Sequence, residues 1–97
     1  MEAATPVPFT GSGAVGPQNA NGYVWIHGIS AAETGGASSV TIILRDSGAS
    51  SGNVVGAFAL PAGTGLGNGV LPKIKVKTGA YATVTGSGTL TAVLYVS

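Results

Sequence analysis

The chain of 97 residues contains no cysteine, which excludes disulfides and thiolate metal sites. Charged side chains make up only 7% of it, against about 25% in ordinary domains. Its acids are Glu2, Glu33 and Asp46, and His27 is its one histidine. Scattered as they are, they form neither a carboxylate pair for acid–base work nor a clustered ligand set for a metal. A net charge of +1 provides no broad basic field to attract nucleic acid or an anionic membrane. No apolar run approaches the roughly 18 residues of a membrane-spanning helix. No segment sustains a 3.6-residue apolar period, so no amphipathic helix is expected. The opening MEAATPVPFTG carries an acid where a secretory signal carries bases, and it has no apolar centre. The expectation is therefore synthesis in a cytoplasm without export by that route.

What is present is glycine, seventeen in all, and short β-favouring runs between glycine clusters. YVWIHGIS (23–30), SSVTIILRD (38–46), NVVGAFAL (53–60), VLPKIKVK (70–77), AYATVTG (80–86) and TLTAVLYV (89–96) are rich in β-branched and aromatic residues, as half-buried pleated surfaces prefer. AAETGGA, DSGASSG and PAGTGLGNG between them carry turn chemistry, and TGSGT is short enough to join the last two strands as a hairpin. Six strands of this kind predict an all-β domain, a small antiparallel β-sandwich or jelly-roll-like barrel.

Residues 1–22 read differently. Pro6 and Pro8, followed by GSGAVGPQNANG, favour an extended path. The reading is an N-terminal arm with a short strand around Val7–Thr10, and a β-sandwich domain over 23–97. Apolar residues on both faces of 23–29, 54–60 and 90–96 exceed what an isolated sandwich needs, which points to subunit contacts.

Chemistry is hard to find. A serine-nucleophile triad needs His27 beside a serine and near Glu33 or Asp46, and no GxSxG elbow exists. GTGLGNG suggests a phosphate loop but lacks the GK[ST] ending. No enzymatic activity, cofactor or metal is expected. PKIKVK holds three of the four basic residues, and alternation places Lys73, Lys75 and Lys77 on one face with Ile74 and Val76 on the other. That face reads as solvated and protective of the strand, as a docking stripe for an acidic protein patch, or as a weak phosphate contact. The residues between the lysines are aliphatic, without the aromatics that stack on bases, so no direct nucleic-acid partner is expected.

From VWIHGIS through LYVS, about three quarters of the chain resembles a recurring type of small tailed-bacteriophage virion protein. The resemblance rests on the extended N-terminal segment, a strand ending in Gly-Ile, the VTIILRDSG…GNVVGAFALPAG hairpin and the closing TGAYATVTGSGTLTAVLYV pair. It implies a β-sandwich or jelly roll acting as a head decoration (cement) protein. On that expectation the chain is a homo-oligomer, a trimer or dimer, docked on the major capsid protein at the virion head surface. The docking surface would include Val7, Pro8 and Phe9 of the arm with Trp25, Lys73, Lys75 and Lys77. The alternative is a tail, fibre or spike domain that binds a host glycan or receptor.

Overall fold

A computed structural model describes residues 4–19 and 21–97, and within 66–72 the backbone course only. Glu2 lies outside the described residues. The described residues form eight strands: β1 (Thr5–Phe9), β2 (Gly13–Val15), β3 (Tyr23–Glu33), β4 (Val40–Arg45), β5 (Val54–Leu60), β6 (Gly65–Lys77), β7 (Ala80–Thr85) and β8 (Leu90–Val96). They build two four-stranded sheets, ordered β1-β8-β3-β6 and β2-β7-β4-β5. Every pairing is antiparallel. This is a jelly roll, the double-sheet arrangement of two Greek keys. Only β4 and β5 follow one another within a sheet; every other connection crosses the sandwich.

The strict alternation of VTIILR makes β4 the template of the second sheet. Val40, Ile42 and Leu44 are buried, while Thr41, Ile43 and Arg45 face outward. Opposite, Leu90, Ala92, Leu94 and Val96 of β8 are buried at every second position. These rows meet between the sheets with Val24, Ile26, Ile29, Ala31 and Val76. In β3 the register shifts between Ile26 and Gly28 against both neighbouring strands. This irregularity changes the parity, so that Ile26 and Ile29, three apart, both point inward. Trp25 consequently faces outward and is only half-buried.

Three expectations are corrected. The segment read as an arm is part of the body: β1 pairs with β8 from Thr5↔Val96 to Phe9↔Ala92, and β2 pairs with β7. The reason is apolar alternation hidden among prolines and glycines. Val7 and Phe9 pack against the core and Val15 is buried within it. The expected last hairpin is a crossing instead, with β7 in one sheet and β8 in the other. Gly86 turns the chain at φ 99°, and a Cβ there would sit 2.6 Å from the Ser39 carbonyl oxygen, so only glycine fits this arch. Finally, most of the expected loop GTGLGNG is strand, because Ile29–Ala32 of the long β3 pairs with Gly65–Gly69. An available partner outweighs weak intrinsic β-propensity.

Three outcomes are expected for stability. Deleting residues 1–16 removes β1, β2 and Val15, and should abolish the dispersed amide spectrum of the folded chain. Ile42→Ala, at a fully buried position, should lower the unfolding free energy by about 2–5 kcal/mol, measured by denaturant titration. Exposed Thr85→Ala should change it by less than about 0.5 kcal/mol.

Candidate docking face

The alternation of PKIKVK holds in three dimensions: Lys73, Lys75 and Lys77 are exposed, Ile74 is half-buried and Val76 fully buried. The strand beside them is β3, with Tyr23 opposite Lys77 and Trp25 opposite Lys75. The aromatics absent between the lysines in sequence are therefore supplied across the ladder. Lys75 Nζ lies 4.3 Å from the centroid of the Tyr23 ring and 5.8 Å from that of Trp25. Lys73 Nζ lies 4.8 Å from the Trp25 centroid. Ammonium groups are attracted to ring faces by the quadrupole, by about 0.5–1 kcal/mol at exposed sites. The rings also fix long side chains that would otherwise wander. The result is a row of cations about 7 Å apart along the strand, two of them seated over aromatic rings.

The same outer face carries His27, whose Nε2 is 2.6 Å from Ser97 Oγ, and Tyr95, whose hydroxyl is 3.5 Å from Ser30 Oγ. Further along, small residues including Ser30, Ala32, Thr91 and Val93 line a shallow depression. Tyr23 is 53% exposed, one of two large apolar side chains among the described residues with that much surface in water. Three of the chain's six aromatics and three of its four basic residues thus share one side of one sheet.

The carboxylates are elsewhere. Asp46 accepts bonds from the Asn53 N–H at 2.8 Å and the Ser47 hydroxyl at 3.2 Å. Glu33 ends β3 and is 2% exposed. Its Oε1 accepts the N–H groups of Gly36 at 2.7 Å and Gly63 at 2.9 Å. Its Oε2 accepts those of Gly35 at 2.9 Å and Thr89 at 2.7 Å. These donors hold its pKa at about 2. The Gly63 N–H contributes most, then those of Gly36 and Thr89, against a burial that pushes the other way. Gly88 is needed here, since a Cβ on it would sit 2.9 Å from Glu33 Cγ and 2.6 Å from the Ser38 carbonyl oxygen. The His–Ser contact exists, but the described acids are committed to other partners, and Glu33 stands six residues along β3 from His27, about 20 Å. Among the described residues no group of three His, Asp or Glu side chains could hold a metal ion.

Of the residues expected to dock, Trp25, Lys73, Lys75 and Lys77 are brought together. Pro8 is exposed and opposite Val93 of β8, at the far edge of the same sheet. Val7 and Phe9 point the other way and pack on the core. Sequence reasoning missed Tyr23, Tyr95 and His27 as members of the face. That Tyr23 and His27 share the parity of Trp25 is readable in the sequence, but which way that parity points and the adjacency of β3 to β6 are not.

No family model matches the chain, and no curated protein matches it. Among solved structures, it is similar to a chain from work described as "Bacillus endospore appendages form a novel family of disulfide-linked pili". The TM-score is 0.58 at 15% identity, over 96% of this chain and 80% of that one. At this identity the likeness shows the fold alone.

The Glu33 cluster generates a prediction. Its folded pKa lies below the ordinary 4.5, so the stability it confers is fully present above pH 4.5 and is lost as pH falls towards 2. Thermal melts should show that loss. Glu33→Gln should melt lower at pH 7, because the amide turns N–H donors towards N–H donors, and its melting temperature should vary less between pH 4.5 and 2.

Proposed function

We propose that this chain is a non-catalytic structural protein that docks in many copies on a larger assembly, as a head decoration protein of a tailed phage does. The docking surface is the outer face of the β1-β8-β3-β6 sheet, and its partner is an acidic protein surface of the shell. One observation carries the reading: the Tyr23–Trp25–Lys73–Lys75 lattice, which concentrates ordered cations and exposed aromatics on one flat face. Opposite-charge complementarity sets register and encounter rate, and aromatic anchors contribute affinity at the centre of such contacts. Binding only to the assembled shell stabilises it by mass action. Repetition over a symmetric surface lets each contact be weak.

The fold also supports a structural role. A chain of the same fold comes from work on a disulfide-linked pilus. Without cysteine this chain has no counterpart to that linkage, and any assembly it makes is held without disulfides. The second reading, attachment to host glycan, is favoured by Tyr23 and Trp25 on the outer face, which resemble a sugar-stacking platform. It ranks lower because lysine ammonium groups already sit over both ring faces.

Co-sedimentation of purified protein with DNA-emptied heads tests the proposal. Wild type should bind with affinity that falls as salt rises, and the triple variant Lys73→Glu, Lys75→Glu, Lys77→Glu should lose binding while keeping its fold. Failure of wild type to sediment with heads, together with a positive glycan array, would replace decoration with attachment.

A further inference from the structure

A two-sheet sandwich has four edge strands, each a row of unpaired N–H and C=O groups that invites another chain. Here three of them are guarded. The β1 edge carries Pro6 and Pro8, which lack the N–H a new strand would need. β2 has only three residues. β6 carries Lys73, Lys75 and Lys77 at alternate positions and is irregular, with two shifts in its register against β3.

β5 is different. Its seven residues, VVGAFAL, contain no charge and no proline. They pair with β4 along one side only, since β5 ends the order β2-β7-β4-β5, with one shift of register between Leu44 and Arg45 near the start of β5, so what sets this edge apart is the lack of charge and proline. Val54 is 53% exposed, and Ala57 and Ala59 are exposed as well. Long, apolar and uncharged, this edge has the properties that guarded edges are built to avoid.

We infer that β5 is a self-association edge, and that two copies of this chain pair β5 to β5 in antiparallel fashion about a two-fold axis at Ala57. A second copy is the fitting occupant because two neutral β5 edges meet without repulsion, whereas two β6 edges would set lysine against lysine. Centring on Ala57 pairs Gly56, Ala57 and Phe58 of both strands; beyond them the bulge that shifts β5 against β4 between Leu44 and Arg45 breaks the alternation at Val54 and Val55. It sets Gly56 opposite the partner's Phe58, on the face where the chain's own Phe58 ring already packs over the glycine. Such pairing is isologous and closes at two subunits. The two β2-β7-β4-β5 sheets then join into one sheet of eight strands.

The absence of cysteine makes the register directly testable by single-cysteine variants. Ala57→Cys should give a disulfide-linked dimer on mild oxidation, because residue 57 faces its own copy. Ala59→Cys should not, because the two sulfurs would start about 13 Å apart along the strands. Sedimentation equilibrium of unmodified protein should show a monomer–dimer equilibrium. Ala57→Lys, which sets like charges opposite at an exposed position, should be monomeric with the fold retained by circular dichroism. Higher salt should strengthen the dimer, since dimerisation brings the neighbouring lysine rows of the two β6 strands nearer and salt screens their repulsion. Docking on an acidic shell should respond to salt in the opposite sense, so the two ideas fail separately. A wild-type chain that stays monomeric across the concentration series would overturn the inference. So would a crosslink that forms in the Ala59→Cys variant in preference to the Ala57→Cys variant, or an open-ended polymer in place of a dimer.

Discussion

The burial of the Glu33 carboxylate is the constraint on which the arrangement of this sandwich depends. Six of the seven connections pass from one sheet to the other, and a crossing loop cannot satisfy its backbone donors by hairpin pairing. At one end of the molecule the loops after β3, β5 and β7 converge, and each sends at least one N–H to the same side chain. A buried carboxylate with its oxygens fully hydrogen-bonded is tolerable, whereas one left unpaired is costly. The acid and the three loops therefore depend on one another. Among the described residues the opposite end has no such centre. There the ties between loops are backbone hydrogen bonds: Asn19 N–H to Thr78 carbonyl, Thr78 N–H to Gly22 carbonyl, and Ser47 N–H to Lys77 carbonyl. A chain with no disulfide thus fastens one end on the Glu33 carboxylate and the other with backbone hydrogen bonds, joined there by the bonds of Asp46 and Arg45 within the β4–β5 loop.

Much of this was legible in the sequence, and the division is physical. Strand positions are local, and period-2 alternation marks them: VTIILR and TLTAVLYV face inward and outward as their pattern reads. Which strand lies beside which is a long-range matter. TGSGT has a hairpin's length, yet Gly86 bends it across the sandwich because the inward faces of β7 and β8 must meet in the core. The parity of Trp25 could not be assigned, since the irregularity between Ile26 and Gly28 has no sequence signature beyond the glycine itself. In the sequence Glu33 reads as one of three scattered acids, weighed for a carboxylate pair, a metal ligand set or a triad. The signal available was an acid at the end of an apolar run followed by Thr-Gly-Gly, residues whose N–H groups are free to turn inward, but the donors from Gly63 and Thr89 were out of sight. Lys73, Lys75 and Lys77 were placed correctly on one face, and their meaning changed once Tyr23 and Trp25 proved to be their neighbours.

Low charge poses a problem that the edges reveal. A soluble sandwich normally protects its open strands with scattered lysines and glutamates, and this chain has few to spend. Proline protects one edge, brevity another and lysine a third. The lysines do so while also standing over aromatic rings, so a protective device and the proposed docking surface share the same side chains. This overlap explains why neither reading of PKIKVK excludes the other. A cation that keeps a second copy of β6 away is equally available to an acid on a different protein.

The two proposed contacts are geometrically compatible, and their combination is more than additive. A two-fold axis relating antiparallel β5 strands stands perpendicular to the joined sheet, so both lysine-bearing sheets lie on the same side of it. β6 borders β5 across the sandwich, because the two are joined by the short 61–64 connection and end their respective sheets. The lysine rows of the two copies therefore come side by side, forming one strip that faces one direction. Like charges brought together weaken the dimer in free solution, but an acidic surface relieves that repulsion when both faces dock at once. The second face then binds at high effective concentration, and the acidic surface in turn favours the dimer. Assembly of the pair and attachment to the partner become coupled through charge alone, with no change of fold required in either.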